Sequence, residues 1–388
     1  MRYQKRVLDI ELDDLFDQLP AIAIDGPKLV GKTTTAMQRA ASALPLDDTG
    51  LRLAVGADPA QVLSRRRPLL LDEWQQVPAV WDVVRRAVDD NPEGGQFLLV
   101  GSASPAAGAT AHSGAGRVAR LRMRPMTLAE RGLEAPAVSL NSLLGGARPA
   151  LEGSSDLRLA DYAEEIIQSG FPTIRRLAGR ALKVQLDSYI RNAVDRDIPE
   201  LGADVRKPDA LLSWLRAYAA ATSGTASYSQ ILDAATGGEA EKPSRSTATI
   251  YRDLLTRIWL LDPVPSWAPH GSLMTRLGQA PKHHLADPAL AARLLGATPG
   301  SLLDGAGAPA PGAAATLLSS LFESLATLCV RVYAQAADAT VGHLRTRNGD
   351  HEVDLVVIRD DGRVVAIEVK LAAAVTDSDV KHLAWLRE

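Results

Sequence analysis

The sequence predicts a mixed α/β protein that begins with a parallel sheet, continues with a helical region and ends with a smaller α/β tail. Three observations support this prediction. A glycine-rich loop lies between a buried strand and a helix, the central region has apolar residues at helical spacing, and the C-terminal part contains an alternating hairpin. With 388 residues, of which 46% are hydrophobic, the chain can bury two or three cores.

The glycine-rich loop follows the pattern Gly-x4-Gly-Lys-[Ser/Thr] from Gly26 to Thr33. The apolar run 21–24 before it is typical of a buried strand, and residues 34–41 are typical of the start of a helix. Backbone N–H groups of such a loop surround phosphate oxygens, so the sequence predicts a P-loop NTPase core that binds a nucleoside triphosphate. The residues expected to contact the nucleotide are Gly26, Pro27, Lys28, Leu29, Val30, Gly31, Lys32, Thr33 and Thr34.

Four residues of this region have specific predicted roles. Lys32 is expected to reach the β- and γ-phosphates and to assist catalysis, and the Thr33 hydroxyl is expected to bind Mg²⁺. A short apolar strand ends in Asp72 and Glu73, and we expect this strand to lie beside the P-loop strand. Asp72 would then hold Mg²⁺ through water, and Glu73 would polarise the attacking water. Acidic residues also end strands that have no catalytic role.

Two further residues are weaker candidates for catalysis. Strand 96–100 is followed by Ser102, which would contact the γ-phosphate or its attacking water in ATPases with an extra strand between the P-loop and acidic strands; the alternative is a turn serine. Residues 104–116 are rich in Ala, Gly and Ser and predict a mobile loop. Arg117 follows, at the start of an alternating strand, and could stabilise the transition state in cis or for a neighbouring subunit. The alternative is a solvated strand arginine.

These motifs and several later ones resemble the AAA-type ATPases of prokaryotes that carry a C-terminal domain of unknown function, DUF4143. The ATPase part of the resemblance is carried by Gly-Pro-x-x-Val-Gly-Lys-Thr-Thr, Leu-Leu-Leu-Asp-Glu-Trp-Gln-x-Val-Pro, Leu-Leu-Val-Gly-Ser-Ala-Ser and Gly-Arg-Val with Arg-Pro-Met-Thr. The downstream part is carried by residues 169–172, 189–190, 196–198, 286–292 and 321–323. The resemblance implies an AAA-like core that hydrolyses ATP with Mg²⁺ to drive a conformational change.

The chain departs from this family in two places. Lys28 and Leu29 stand where the family more often has Arg-Gln. The chain also ends at Glu388, where similar proteins usually continue, so we expect the last domain to be trimmed.

Composition limits the classes of protein to which this chain can belong. The net charge of −3 provides no global field for nucleic acid, and the single cysteine, Cys329, excludes an internal disulfide and fits a reducing cytoplasm. Cys329 lies in an apolar helical stretch, where a packing role is expected. The N-terminus does not have the pattern of a signal peptide, and we find no apolar stretch of membrane-spanning length. We therefore expect a cytoplasmic protein.

Composition also predicts the domain boundaries: an ATPase domain over 1–135, a linker over 136–155, a helical and winged-helix domain over 156–302, a low-complexity hinge over 303–316 and a tail over 317–388. Helices are expected at 157–168, 180–195, 208–222, 229–235 and 246–256. Residues 228–267 have the layout of a winged helix, in which Arg245, Tyr251, Arg252 and Arg257 could face DNA or RNA phosphates. Nearby acids favour a packing or protein-contact module instead.

The tail contains a second group of charged residues. Strand 352–358, turn 360–362 and strand 364–370 place Asp354, Glu368 and Lys370 in a spacing that resembles the core of PD-(D/E)xK nucleases, a restriction-endonuclease-like fold. Asp354 and Glu368 would share a divalent metal, Lys370 would project on the same face, and Glu323 from the preceding helix would complete the acidic set. The alternative is a structural ion network in a fold without nuclease activity.

Two functions therefore stay open. In one, ATP turnover is coupled to nucleic-acid processing. In the other, the chain is a nucleotide-dependent protein-interaction switch whose tail is an inactive scaffold. The sequence leaves the protein partner, contact with DNA or RNA, and oligomerisation undecided.

Overall fold

The computed structural model describes residues 3–103, 115–133, 136–149, 155–203, 205, 207–236, 245–268, 279–305, 312–346, 349–372 and 374–388. The chain forms two compact units. The first unit comprises Met1–Arg124, Arg196–Asp204 and Leu254–Leu260, and the second unit comprises Pro125–Asp195, Val205–Asp253 and Leu261–Glu388. Most of the loop predicted at 104–116 lies outside the described residues.

The core of the first unit is a five-stranded parallel sheet with the strand order β2-β3-β4-β1-β5. Its strands are β1 (Ala21–Asp25), β2 (Ser42–Pro45), β3 (Leu69–Asp72), β4 (Phe97–Gly101) and β5 (Ala119–Arg122). Every residue of β1 and β4 is buried. Parallel strands in such sheets are covered on both faces, which explains why both sequences are continuous apolar runs.

The strand order corrects the expectation that the acidic strand lies beside the P-loop strand. β4 separates β1 from β3, with Asp25 opposite Gly101 and Asp72 opposite Val100. This is the extra-strand arrangement considered for Ser102. Because the strands are parallel, their carboxyl ends still reach one edge of the sheet, where ligands bind in open α/β sheets. Strand β2 was not predicted from the sequence, because only Leu44 of its four residues is buried and no apolar run marks it.

Four helices accompany this sheet: α1 (Leu8–Leu15), α2 (Lys32–Met37), α3 (Thr49–Ala57) and α4 (Ala79–Asp90). α2 is shorter than the helix expected over 34–41, because the chain turns into β2 at Ser42. α4 buries one apolar stripe, formed by Val80, Trp81, Val84, Ala87 and Val88, in the core against the sheet. Trp81 stacks on Trp74, with 4.6 Å between the ring centroids.

The rest of the described chain is mostly helical. Its helices are α5 (Leu140–Leu144), α6 (Leu159–Gln168), α7 (Gly179–Asn192), α8 (Ile198–Glu200), α9 (Pro208–Ala220), α10 (Tyr228–Ala235), α11 (Arg245–Arg257), α12 (Pro288–Leu294), α13 (Pro299–Asp304), α14 (Ala313–Gln335) and α15 (Asp377–Arg387). The five predicted helices of the central region correspond to α6, α7, α9, α10 and α11. A π-helix, Ala193–Asp197, connects α7 to α8.

The predicted winged helix is only partly visible. Its turn, residues 237–244, and the side chain of Arg245 lie outside the described residues. Tyr251 is buried and meets the ring of Trp214 edge-on, 6.5 Å between centroids, so it does not face phosphates as suggested. Arg252 forms a salt bridge of 2.8 Å with Asp253. These contacts favour a packing role for α11.

The tail contains an antiparallel sheet of β6 (Ala339–Arg345), β7 (Glu352–Arg359) and β8 (Val364–Ile367), in that order. The predicted hairpin is confirmed as β7–β8. β8 is shorter than expected, so Glu368 and Lys370 follow the strand instead of lying within it. The side chain of Asp354 accepts a hydrogen bond of 2.9 Å from the backbone N–H of Val369, which follows β8.

α14 corrects the expectation that no stretch is long and apolar enough to cross a membrane. It has 23 residues and contains an 18-residue window with a mean hydropathy of 1.6. Core helices of water-soluble proteins meet the same criteria, and Glu323 and Arg331 on α14 form ion pairs with Lys282 and Asp262. By itself this helix does not indicate a membrane protein. Cys329 on the same helix is buried, as predicted.

Candidate nucleotide-binding site

The loop after β1 requires glycine at both ends of its pattern. Gly26 has φ of 156°, and a Cβ there would lie 2.2 Å from the carbonyl oxygen of Met123. Gly31, directly before α2, has φ of 105°. L-residues with a side chain rarely adopt such angles, so the backbone geometry explains both glycines.

Arg6 supports the loop from outside the motif. This buried side chain donates hydrogen bonds of 2.8 Å to the carbonyl oxygens of Val30 and Arg124. The sequence contained no signal for this contact, because Arg6 lies in a short polar segment far from the motif. Among the remaining predicted contacts, Val30 is buried and Leu29 and Thr34 are exposed.

Lys32 lies inside the loop. Its side chain is 5% exposed, and Nζ donates hydrogen bonds of 2.8 Å to the carbonyl oxygens of Gly26 and Pro27. Burial lowers the pKa of Lys32 to about 8, although the nearby carboxylates of Glu73 and Asp72 raise it. A poorly solvated ammonium in this position gains most from an anionic ligand, which agrees with the predicted role at the phosphates.

Thr33 and Asp72, the two predicted Mg²⁺ ligands, meet although they lie on different elements. Thr33 Oγ1 donates a hydrogen bond of 2.9 Å to Asp72 Oδ1. Burial raises the pKa of Asp72, and the bond from Thr33 partly offsets this effect. Mg²⁺ prefers oxygen ligands and is commonly held by one or two carboxylates beside phosphates, so these residues fit the ion.

Glu73 and Ser102 form one hydrogen-bonded cluster with Gln75. Ser102 Oγ donates a bond of 2.7 Å to Glu73 Oε2, Gln75 Nε2 donates to the same oxygen, and Gln75 Nε2 lies 3.3 Å from Ser102 Oγ. Glu73 has φ of 51°, a left-handed conformation that is uncommon without glycine and that clusters at functional sites. No sequence pattern marked Gln75 as part of this cluster, because Ser102 comes beside it only through the position of β4.

Lys28, another predicted nucleotide contact, is bound to two acids. Its Nζ lies 2.6 Å from Asp197 Oδ1 and 3.3 Å from Glu200 Oε2. Both acids belong to the segment Arg196–Asp204 of the first unit. Lys28 and these two acids line a cavity of about 240 Å³, together with Gln75 and Ser102.

Two arginines, Arg117 just before β5 and Arg120 within it, have different partners. Arg117 Nε forms a salt bridge of 2.8 Å with Asp89 on α4, and 44% of the Arg117 side chain is exposed. Arg120 Nε forms a salt bridge of 2.8 Å with Asp25, a buried carboxylate directly before Gly26. In this conformation Arg120 contacts the base of the loop, whereas Arg117 is paired on α4. A role for Arg117 in a neighbouring subunit stays a prediction.

We expect Arg120→Ala to lower the free energy of unfolding by about 1–3 kcal/mol, because a buried carboxylate loses its hydrogen-bond donor. The matched control is Arg117→Ala, which removes a salt bridge between two exposed side chains and should change stability by less than about 1 kcal/mol. Urea unfolding of both variants measures the difference. Equal losses would contradict the assignment of Arg120 as the support of Asp25.

The acids of the tail surround a buried lysine that no sequence pattern connects with them. Lys282, with 1% of its side chain exposed, lies 2.8 Å from both Glu323 and Asp354 and 3.5 Å from Glu352. Glu323 and Asp354 thus converge, as predicted, but on an ammonium group. Within the described residues, no group of three or more His, Cys, Asp or Glu side chains could hold a metal ion.

The remaining two predicted residues extend this cluster. Lys370 Nζ lies 3.3 Å from Glu368 Oε2. Burial and the neighbouring Asp354 raise the pKa of Glu368 to about 7, and burial likewise raises that of Glu323 to about 7. Burial opposes the charged form of Asp354, but Lys282 and the Val369 N–H hold its pKa below the usual range. Arg345, at the end of β6, lies 3.9 Å from Glu352.

Comparison with known families gives three matches along the chain. Residues 18–131 match the AAA domain, residues 159–301 match a domain of unknown function, DUF8612, and residues 319–388 match the domain of unknown function DUF4143. The AAA match supports a nucleotide-binding ATPase at the level of the family.

Two curated relatives are uncharacterized proteins of Mycobacterium bovis and Mycobacterium tuberculosis, each 27% identical over 308 residues and 76% of this chain. The matched region spans 60% of the length of each relative. Among solved structures, that of the Aeropyrum pernix ORC2 protein in ADPNP-ADP complexes aligns with a TM-score of 0.30 and 16% identity, over 83% of this chain and 92% of that chain. Together, the AAA and DUF4143 matches confirm the resemblance inferred from the sequence, which is to an AAA-type P-loop ATPase with a C-terminal DUF4143 domain.

Proposed function

We propose that the first unit binds ATP with Mg²⁺ and hydrolyses it, and that this cycle drives a conformational change. The observation that carries the proposal is the meeting of three groups at one edge of the sheet. Lys32 follows β1, the Thr33–Asp72 pair joins α2 to β3, and the Glu73–Ser102 pair joins the ends of β3 and β4. A cation, an oxygen pair for a metal, and a fixed carboxylate are the groups that phosphoryl transfer to water needs.

Each group has a defined role in this reaction. Lys32 would bind the β- and γ-phosphates, and the loop N–H groups would orient them. Thr33 and Asp72 would hold Mg²⁺, which supplies a Lewis acid that draws charge from the phosphate oxygens. Glu73 would accept the proton of the attacking water on its carboxylate. Ser102 and Gln75 donate to Glu73 Oε2 and would keep that carboxylate in one orientation, so both are positioning residues.

Release of phosphate from ATP by the purified chain tests the proposal. We expect turnover with Mg²⁺ and none after chelation by EDTA, and Asp72→Asn should require a higher Mg²⁺ concentration for half-maximal turnover. Asp47→Asn is the control, because Asp47 is exposed and acts on Asp72 only through its charge. Turnover that is unaffected by EDTA would contradict the assigned metal pair.

For the tail, we infer that the nuclease-like hairpin is a scaffold, which favours the function of a nucleotide-dependent protein-interaction switch over nucleic-acid cleavage. The supporting observation is Lys282. Its ammonium is fixed between Glu323 and Asp354, the carboxylates that would have to bind a divalent metal. A cation that is part of the chain offsets the repulsion between these acids without a metal, and the residues present do not fit one.

We expect Lys282→Met to lower the free energy of unfolding by about 3–5 kcal/mol, because it leaves buried carboxylates without their cation. Adding Asp354→Asn should restore part of the loss. Lys381→Met, at an exposed position of α15, is the control. Thermal unfolding with and without Mn²⁺ measures whether the tail binds a divalent metal. Stabilisation of the unmodified chain by Mn²⁺, together with Mn²⁺-dependent DNA cleavage that Asp354→Ala abolishes, would establish the nuclease function instead.

A further inference from the structure

We propose that Lys28, Asp197 and Glu200 form a nucleotide-sensitive latch, which ties the end of a helix to the phosphate loop and weakens when a triphosphate binds there. The proposal rests on the proposed function of the loop as a triphosphate site. Arg196-Asp197-Ile198 is one of the motifs that carry the family resemblance, yet the chemistry of ATP hydrolysis described above does not use it. The latch gives Asp197 a role.

The geometry of the latch follows from one long helical segment. α7 continues through the π-helix Ala193–Asp197 into α8, so Asp197 and Glu200 lie in the last turns of a continuous helical stretch. Residues three apart share a helix face, and both carboxylates therefore reach the same ammonium. Lys28 Nζ lies 2.6 Å from Asp197 Oδ1 and 3.3 Å from Glu200 Oε2. π-Helical turns inside α-helices are rare and are frequent at functional sites.

Lys28 balances an unfavourable concentration of negative charge. Carboxylates near the C-terminal end of a helix are repelled by the partial negative charge of that end. Burial raises the pKa of Asp197; Lys28 opposes this, and the carboxylates of Glu200 and Glu73 raise it further. For Lys28, burial lowers the pKa, but the bonds with Asp197 and Glu200 outweigh it, so the pKa is raised. The helix end stays at the loop because Lys28 supplies the cation.

A bound triphosphate competes for the same cation. Lys28 is part of the loop that would surround the phosphates, so its ammonium would face phosphate oxygens as well as the two carboxylates. The cavity of about 240 Å³ beside the pair, which Ser102 and Gln75 also line, provides space for the Lys28 side chain to move. Once Lys28 turns to the phosphates, the carboxylates of Asp197 and Glu200 lose their cation, and their negative charge is repelled by that of the phosphates. Both effects loosen the helix end when the triphosphate binds.

The chain itself can transmit this change. The latch segment, Arg196–Asp204, belongs to the first unit, whereas the residues before it, up to Asp195, and after it, from Val205, belong to the second unit. α7 and α9 are therefore covalently linked to the segment that the nucleotide releases. Such a two-state segment is a physical basis for coupling nucleotide binding to the rest of the molecule.

Thermodynamic linkage provides the test. If the triphosphate weakens the latch, then weakening the latch must tighten triphosphate binding by the same factor. We expect Asp197→Asn and, independently, Glu200→Gln to lower the Kd for Mg·ATP by about 5-fold or more, measured by calorimetry in a Glu73→Gln background that suppresses turnover. Asp195→Asn is the matched control: it removes the same charge from an exposed position two residues earlier, and it should leave Kd unchanged.

Amide hydrogen exchange at residues 196–204 gives a readout that does not depend on affinity. In the Glu73→Gln background, Mg·ATP should speed exchange in this segment. Asp197→Asn should already speed exchange without nucleotide, so that adding Mg·ATP to this variant increases the exchange rate little further. Unchanged Kd in both latch variants, or exchange that ATP slows or leaves unchanged, would show a static anchor and overturn the latch. If Lys32→Ala binds ATP as the unmodified chain does, the proposed nucleotide site is wrong instead, and the two failures can thus be distinguished.

Discussion

Replacing Lys32 by Ala is expected to abolish tight ATP binding, with a loss of about 3 kcal/mol or more in binding free energy, which corresponds to roughly 100-fold or more in Kd. The reason is that the ammonium is buried in the loop, bonded to the carbonyl oxygens of Gly26 and Pro27. Its removal takes away the charge that would face the phosphates and leaves these two carbonyl groups without their donor. Calorimetric titration with Mg·ATP measures the loss.

Lys5→Ala is the control for this substitution, because Lys5 lies in the same unit with 68% of its side chain exposed and pairs with Asp13. It removes the same charge and should leave Kd unchanged. A Lys32→Ala variant that folds normally and binds ATP within about threefold of the unmodified chain would rule out the loop as the triphosphate site.

The same residue predicts how ATP binding depends on pH. Burial lowers the pKa of Lys32 to about 8 in the free protein, and a bound triphosphate would raise it by favouring the charged form. The bound state therefore holds its proton to higher pH than the free state. Affinity should be constant below pH 8 and should fall above it, by at most about tenfold per pH unit. Lys32→Ala should not show this dependence on pH.

Glu73→Gln is expected to slow ATP hydrolysis by about 10²–10⁴-fold while leaving the Kd for ATP nearly unchanged. The amide keeps the shape of the side chain, but it cannot accept the proton of the attacking water. Phosphate release under single-turnover conditions measures the chemical step, and calorimetry measures Kd. Because only the transition state loses an interaction, the loss should appear in the rate constant and not in binding.

Gln75→Leu separates positioning from proton transfer. It removes the donor from Gln75 Nε2 to Glu73 Oε2 but leaves the carboxylate and the bond of 2.7 Å from Ser102 in place. Turnover should therefore fall less than in Glu73→Gln. If Glu73→Gln hydrolyses ATP at the unmodified rate, another group activates the water, and the assignment of Glu73 is wrong.

The sequence by itself determined the local parts of this protein. The strand, loop and helix around Lys32, the acidic end of β3, the central helices and the β7–β8 hairpin follow from apolar periodicity and from glycines at positions of unusual φ. Such signals depend on residues close together in the chain, so they are visible without the fold. The family resemblance follows from the same motifs, and the AAA and DUF4143 matches confirm it.

The tertiary structure decided which distant residues meet. It inserted β4 between β1 and β3, joined Gln75 to Ser102, and brought Asp197 to Lys28, a residue 169 positions away in the chain. It also placed Lys282 among the acids of the tail, 72 positions from Asp354. No local pattern marks these contacts, because charged side chains in loops and at helix ends look alike in a sequence. Burial and the packing of separate elements select their partners, and these interactions exist only in the folded chain.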